Sequence, residues 1–353
     1  MDGVALPVTA IISTRNRSHC IAAAVESVLM NDYPCFELIV LDQSDNNLTE
    51  KALTPYLNNP RLVYVRSNSR GLGIGHNIAV SIARTELLAF TDDDCLVAVD
   101  WISQIVQAFQ VDQEIGLVFG NVLPTQYDVK TGYIPVFIQP DAYLLKSLKG
   151  DLKRGMGIGA CFALKKSIWE KVKGFDQMLG PGAPLGSLED RDIAIRVLLA
   201  GKYVYHTPAV RVVHLGFRQN RELRKLAFRD WFGFGSSFAK YLKCGHWDIS
   251  YYMIYQMWTQ QAFLRIFHSI LVQKRISNVT ASVSFWIGFI AGLFSSVDDE
   301  TTLFKPGTNL TYTLTALTNQ VFLAWKNVTS HADKEPVPDF INSLEESPQA
   351  LEA

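Results

Sequence analysis

The sequence predicts an α/β fold: a mostly parallel central sheet flanked by helices, with a C-terminal helical appendage. Two observations carry the sheet. Short apolar runs the length of buried strands alternate with helical patterns through the first half of the 353 residues. The runs end on polar clusters, as in sheets whose ligands bind beyond the carboxyl ends of the strands. A third observation carries the appendage: from about Phe217 the alternation gives way to basic, aromatic and then uncharged helical stretches.

Taken in order, Val8–Ile12 is the first strand, and Ser18 stands where it would cap a helix with Ile21, Val25, Val28 and Leu29 on one face. Phe36–Leu41 and Leu62–Val65 are the next strands. A helix through Ile78 and Ile82 leads to a fourth, Leu87–Phe90. Asp100 precedes a helix carrying Ile102, Ile105, Val106 and Phe109, and Leu117–Phe119 makes a fifth strand. Further on come a helix with Ile193, Val197 and Leu198 and strands at Tyr203–Tyr205 and Ala209–Val213, the last ending at His214. Such alternation describes βαβ units covered on both faces.

Composition narrows the function. Apolar content of 48% and charged content of 19% describe a chain with ample core. A formal net charge of -1 gives no reason to expect a nucleic-acid partner. Five cysteines without CxxC spacing support neither a zinc site nor a disulfide framework. With no basic-then-apolar segment at the N-terminus, the expected location is cytoplasmic, with peripheral contact at the inner face of a membrane as its extension.

The chemistry gathers at strand ends. Thr14-Arg15-Asn16-Arg17 follows the first strand, Asp42-Gln43-Ser44-Asp45 the second, and Asp92-Asp93-Asp94 the fourth. Three adjacent carboxylates repel one another and cannot enter an apolar core unpaired, so they belong at a rim facing a cation. Mg²⁺ or Mn²⁺ takes such oxygens and keeps positions open for phosphates. Gly71–Asn77 is a glycine-rich entry to a helix without the GxGxxG spacing of a dinucleotide fingerprint. A second acidic cluster, Glu189-Asp190-Arg191-Asp192, follows the glycine- and proline-bearing loop Gly180–Ser187. Acids in a first helical turn suit the helix dipole, and a carboxylate held there beside a loop also suits a general base.

The appendage has seven Lys/Arg between Phe217 and Lys243 against Glu222 and Asp230, with six interleaved aromatics from Phe228 to Tyr241. Such a stretch lies at a membrane interface or packs on the sheet domain. Ile276–Val297 is uncharged, but its serines and glycines suit a re-packed helix better than a membrane span. The boundaries expected are a catalytic unit at 1–216 (halves 1–120 and 121–216), a helical region at 217–330 and an acidic, disordered tail at 331–353.

In this order and spacing the motifs resemble family-2 glycosyltransferases of the Rossmann-like GT-A fold. The resemblance runs from about Val8 to His214. Ser13–Arg17 and Leu38–Asp45 are similar to the family's nucleotide-contacting loops, Gly71–Asn77 to its glycine-rich segment with His76 in place of the usual Arg, and Phe90–Asp94 to its DxD motif. Gly174-Phe175-Asp176 and Gly186–Asp190 are similar to its acceptor-side segment. The resemblance implies donor contacts from Thr14, Arg15, Asn16, Arg17, Asp42, Asp45, Gly71, Asn77, Asp92 and Asp93. It implies a divalent cation (Mn²⁺ or Mg²⁺) on Asp92, Asp94 and His214, with Asp190 as base and Glu189 orienting the acceptor.

The implied reaction is an inverting transfer from a nucleotide-diphosphate sugar donor to a saccharide or lipid-linked acceptor, in cell-envelope polysaccharide assembly. Gln43 replaces a usual Asp or Asn, leaving the base open. Absence of a QxxRW segment and of paired transmembrane helices favours non-processive transfer. The alternatives are a degenerate glycosyltransferase-like binding or scaffold protein, which would not need both acidic sets, and a sugar nucleotidyltransferase, which would need a glycine run after the first strand.

Overall fold

A computed structural model of the chain describes residues 5–148, 156–259 and 277–306, built on a central nine-stranded sheet. Its first half is parallel: β1 (Val8–Thr14), β2 (Phe36–Asp42), β3 (Leu62–Arg66) and β4 (Leu87–Asp92) lie in the order β3-β2-β1-β4. Every residue of β1 is buried. A parallel strand covered on both faces has no polar face to alternate with, which is why it reads as a continuous apolar run.

The helices of this half are α1 (Ile21–Leu29), α2 (Leu48–Leu53) and α3 (Leu72–Ile82). α1 starts later than a Ser18 cap would place it. Residues 18–20 form a turn, with the Cys20 amide on Arg17 O at 3.2 Å, and Cys20 takes the N-cap position without a side-chain bond.

The second half is mixed. It comprises β5 (Cys95–Val97), α4 (Trp101–Gln110), β6 (Ile115–Pro124), β7 (Gly132–Tyr133), β8 (Tyr143–Leu145), β9 (Cys161–Lys165), α5 (Lys166–Lys171), α6 (Glu189–Leu199) and β10 (Tyr203–His214). β9 lies between β4 and β6, antiparallel to both. β10 is parallel to β6 and antiparallel to β5. The two strands expected at 203–205 and 209–213 are one, with a register irregularity between His206 and Arg211 that made it read as two. Two apolar cores flank the sheet: Ala10 and Ile12 point to one with Val25, Trp101 and Ile105, and Ile11 points to the other with Val80, Phe90, Ile193 and Val197.

β11 (Arg218–Gln219), α7 (Asn220–Lys243), α8 (Trp247–Thr259), α9 (Ser277–Phe294) and the hairpin β12 (Val297–Asp298)–β13 (Leu303–Phe304) complete the described chain. α7 starts with a reciprocal capping box between Gln219 and Glu222. It packs on the sheet domain: Lys240, fully buried, pairs with Asp176 at 2.8 Å and with Asp192, and the Tyr241 hydroxyl donates to Asp192 Oδ1 at 2.7 Å.

Gly288 and Gly292 of α9 face α7. A methyl group at Gly288 would overlap Phe232 O, and one at Gly235 would overlap Phe285 O. The composition that made this stretch a poor membrane span is the composition of a close helix crossing. No described helix is long and apolar enough to cross a membrane. The acidic tail expected at 331–353 lies outside the described residues.

Candidate active site

Register explains why distant motifs meet. Thr14 of β1 pairs with Asp42 of β2, and Ser13 pairs with Asp92 of β4, so three polar loops leave the sheet at one edge. The chain turns sharply at Asp93-Asp94 into β5, whose Cys95 stands opposite His214 of antiparallel β10. Single ligand atoms of Asp92, Asp94, Cys95 and His214 consequently lie within 4.8 Å of one another.

The three acids differ in their neighbours. Asp93 accepts from Thr14 Oγ1 at 2.6 Å and pairs with Arg17 Nε at 3.0 Å. Asp94, nearly inaccessible, faces His214 Nε2 at 3.3 Å, Arg218 Nη2 at 3.3 Å and the Arg17 guanidinium. Burial alone would raise its carboxyl, but His214, Arg17 and Arg218 outweigh burial and hold it below the usual range. The Asp92 carboxylate makes no hydrogen bond or ion pair among the described residues, and burial together with Asp94 pushes it up to about 7.

The donor set fits a hard divalent ion. Two carboxylates and an imidazole converge, and the buried Nδ1 of His214 has no hydrogen-bond partner. Cys95 is a poor fourth ligand, because burial, Asp92 and Asp94 all raise its thiol well above the ordinary value. Gly216 is required beside the cluster: a methyl group there would overlap Asp94 Oδ2.

The nucleotide-side expectations divide. Asn16, in the left-handed region at φ 58, exchanges hydrogen bonds with Asp45, and its amide donates to Ser44 Oγ at 2.8 Å. Arg15 and Arg70 pair with Asp45 at 3.1 and 3.2 Å. These groups form an accessible polar rim. Asp42 lies beneath it, fully buried, accepting from the Tyr64 hydroxyl at 2.7 Å and the Ser44 amide at 2.8 Å.

Gly71 adjoins this rim, its carbonyl accepting from Gln43 Nε2 at 3.2 Å one residue after Arg70, whereas Asn77 does not reach it. Asn77 is spent on Trp169 Nε1 at 3.0 Å and on the backbone of Phe175 at 2.8 and 2.9 Å. Gly71, at φ 110, starts α3, and the first helical amide donates to Pro181 O at 3.0 Å. The remaining glycines admit close packing: a methyl group at Gly73 would lie 2.9 Å from Asp176 O, and one at Gly75 would lie 3.0 Å from Gln43. His76, buried against Phe90 and Phe175, shares a hydrogen bond with Ser13 Oγ at 3.1 Å and is pushed down to about 3 by burial.

The acceptor-side acids reach the same edge through β9. Antiparallel pairing sets Cys161 opposite Thr91, whose hydroxyl donates to Ala160 O at 3.0 Å. One residue earlier, the Gly159 amide donates to Asp190 Oδ2 at 2.6 Å. Leu188 enters α6 at φ 84, and Glu189 is buried beside Gly180. Burial first, then the Asp190 charge, pushes Glu189 up to about 8. Burial also raises Asp190, against the Arg191 charge and the amides of Arg191 and Gly159.

Sequence reasoning missed Arg218 and the Gly159 amide. Arg218 carried a signal, since it opens the basic run four residues after His214. The amide carried none, because backbone donors leave no trace in residue type.

Residues 9–173 match the sequence profile of glycosyl transferase family 2. Mannosyltransferase PcManGT from Pyrobaculum calidifontis, solved with GDP-Man and Mn²⁺, aligns over 93% of this chain and 88% of its own, at TM-score 0.54 and 19% identity. S. aureus TarS 1-349 aligns over 82% of this chain and 81% of its own, at TM-score 0.54 and 12% identity. At such identities the likeness is one of fold.

Proposed function

Given that residues 9–173 belong to glycosyl transferase family 2, we propose that this chain is a metal-assisted, inverting, non-processive glycosyltransferase moving a sugar from a nucleoside-diphosphate donor to an acceptor hydroxyl. The observation that carries this reading is the meeting of two acidic sets at one sheet edge. Asp92, Asp94 and His214 gather beside the nucleotide-side rim, and Asp190 is tied to the same edge through Gly159, Ala160 and Thr91.

Asp92, Asp94 and His214 would hold the divalent cation, which when bound supplies Lewis-acid stabilisation of the departing diphosphate. Arg15, Asn16 and Asp45 form the accessible surface for base and ribose, with Asp42 positioning them from below through Ser44. Asp190 accepts the acceptor hydroxyl's proton. Its oxygens are oriented by two backbone amides and each keeps a further lone pair. Glu189, protonated at neutral pH, donates a hydrogen bond that orients the acceptor. One base acting opposite the leaving group gives inversion.

A saccharide or lipid-linked acceptor in cell-envelope polysaccharide assembly suits this site. Peripheral membrane contact is supported by the outer face of α9, where Trp286, Ile290 and Phe294 are exposed.

The primary test is thermal shift of the purified chain with UDP, GDP, dTDP and CDP, each with Mn²⁺ and with EDTA. One diphosphate should stabilise the protein only with metal. No shift with any of them, in folded protein, would favour a degenerate binding module. Asp190→Asn should lower kcat about 10²- to 10⁴-fold at unchanged diphosphate affinity; loss of diphosphate binding would move the base elsewhere.

A further inference from the structure

Asp94 carries more cations than a structural carboxylate of its burial needs. Its Oδ1 faces His214, and its Oδ2 is shared between Arg17 and Arg218. The two guanidiniums are not equivalent. Arg17 also pairs with Asp93 through Nε at 3.0 Å, whereas Asp94 is the one ion-pair partner of Arg218 among the described residues.

The backbone of Arg218 is fixed, since β11 pairs with β7 and Arg218 stands opposite Tyr133. Just before it, the Leu215 amide donates to Asp94 O at 2.8 Å, and Gly216 passes over the carboxylate without a side chain. The side chain alone is therefore free to choose a partner, and at 24% exposure it meets solvent.

A divalent ion taking Asp94 would bring two positive charges against both guanidiniums, and like charges at such range oppose binding. Arg17 can relax onto Asp93. Arg218 has no second ion pair among the described residues, Asp93 feeling its charge only at longer range, and its planar fork matches the phosphate oxygens of an anionic ligand arriving at the same edge.

We propose that Arg218 is the internal counter-cation of the metal-free site: it holds Asp94 until a divalent ion takes that carboxylate, then turns its guanidinium to the donor diphosphate. The inference rests on the metal-assisted reading above, and it orders the events. Metal entry and the release of Arg218 are one exchange, so the apo site is neutralised while empty of donor, and the diphosphate-binding cation is delivered only after metal has bound.

The test is a pair of affinities that move in opposite directions. Mn²⁺ is titrated calorimetrically into the full chain without nucleotide, for wild type, Arg218→Gln and Arg218→Lys. The diphosphate that wild type prefers among UDP, GDP, dTDP and CDP is then titrated at saturating Mn²⁺. Arg218→Gln should bind Mn²⁺ about three- to tenfold tighter and the diphosphate about three- to tenfold weaker. Arg218→Lys should stay near wild type in Mn²⁺ affinity.

Unchanged or weaker Mn²⁺ binding by Arg218→Gln, with wild type binding the ion, overturns the counter-cation role and leaves the metal site standing. Tighter Mn²⁺ binding with unchanged diphosphate affinity overturns the transfer to the diphosphate. Failure of folded wild type to bind Mn²⁺ with or without diphosphate overturns the metal reading itself, and this inference with it.

Discussion

Two groups of largely buried carboxylates distinguish scaffold from site in this molecule. Asp176 and Asp192 lie in the interior with Lys240 between them. Asp192 also receives Arg196 Nε at 2.9 Å and the Tyr241 hydroxyl, while Asp176 receives the amides of Met178 and Phe304, each at 3.0 Å. Arg196 spends Nη1 on the carbonyls of Val172 and Gly174, leaving Nη2 as its unpartnered nitrogen. The second group, Asp92–Asp94, also meets cations, yet Asp92 is unpaired among the described residues and His214 Nδ1 is orphaned. A charge cluster that is almost completely satisfied holds elements together. One left unfinished at a sheet edge has capacity for a ligand.

The comparison is tested hardest at Lys240. Lys240→Met should destabilise the chain by about 3–5 kcal/mol, because it strands two buried carboxylates without their cation. Chemical denaturation of wild type and variant measures this directly. Asp94→Asn should cost far less, since the guanidiniums it releases stand 32% and 24% exposed and can turn to water. A Lys240 variant as stable as Asp94→Asn would erase the distinction between the groups.

A smaller effect separates Glu189 from both groups, because its partner is a proton. Its carboxyl is raised from the ordinary 4.5 to about 8 by burial and then by Asp190. A raised carboxyl contributes its full stability below pH 4.5 and loses it as pH climbs through about 8, where the folded site must carry the charge. Glu189→Gln removes that loss. The Tm advantage of the variant over wild type should be absent near pH 4, grow between about 4.5 and 8 and level off above that. Wild-type kcat/KM should fall about tenfold per pH unit above the raised value, and the variant should lack that limb. A flat profile in wild type would place Glu189 outside the reacting centre.

Much of this was legible in the sequence because strands and their ends leave local marks. Val8–Ile12, Phe36–Leu41 and Leu87–Phe90 announced β1, β2 and β4 by apolar runs, and register then aligned their polar ends. The contacts that sort carboxylates into kinds were not legible. Asp176, in a segment resembling an acceptor motif, is 1% exposed and belongs to the buried knot, because Lys240 arrives from 64 residues away. Asn77 stood in a glycine-rich segment suggestive of phosphate binding, yet its amide is consumed by Phe175 and Trp169, 98 and 92 residues away. Residue type and spacing state which groups can ionise or bond. They do not state which partners the fold has already supplied.

The mildest test falls on the rim of β2. Asp45 is 50% exposed and held below the ordinary range by the Asn16 hydrogen bond, with Arg15 and Arg70 assisting. Asp42 is fully buried three residues earlier and bonded to Tyr64 and Ser44. If exposure separates the binding acid from the positioning acid at this rim, Asp45→Ala should leave Tm unchanged and weaken diphosphate-nucleoside binding about three- to tenfold. Asp42→Asn should do the reverse in emphasis, lowering Tm because the Tyr64 hydroxyl and the Ser44 amide would compete for a poorer acceptor. Calorimetric titration of the preferred nucleotide, paired with thermal melts of both variants, reads the two effects separately. Equal loss of affinity in the two variants would show that the buried acid and the rim act as one unit, with Ser44 and Asn16 transmitting the change between them. Affinity unchanged in both would confine donor recognition to the Asp92–Asp94 turn and its cations.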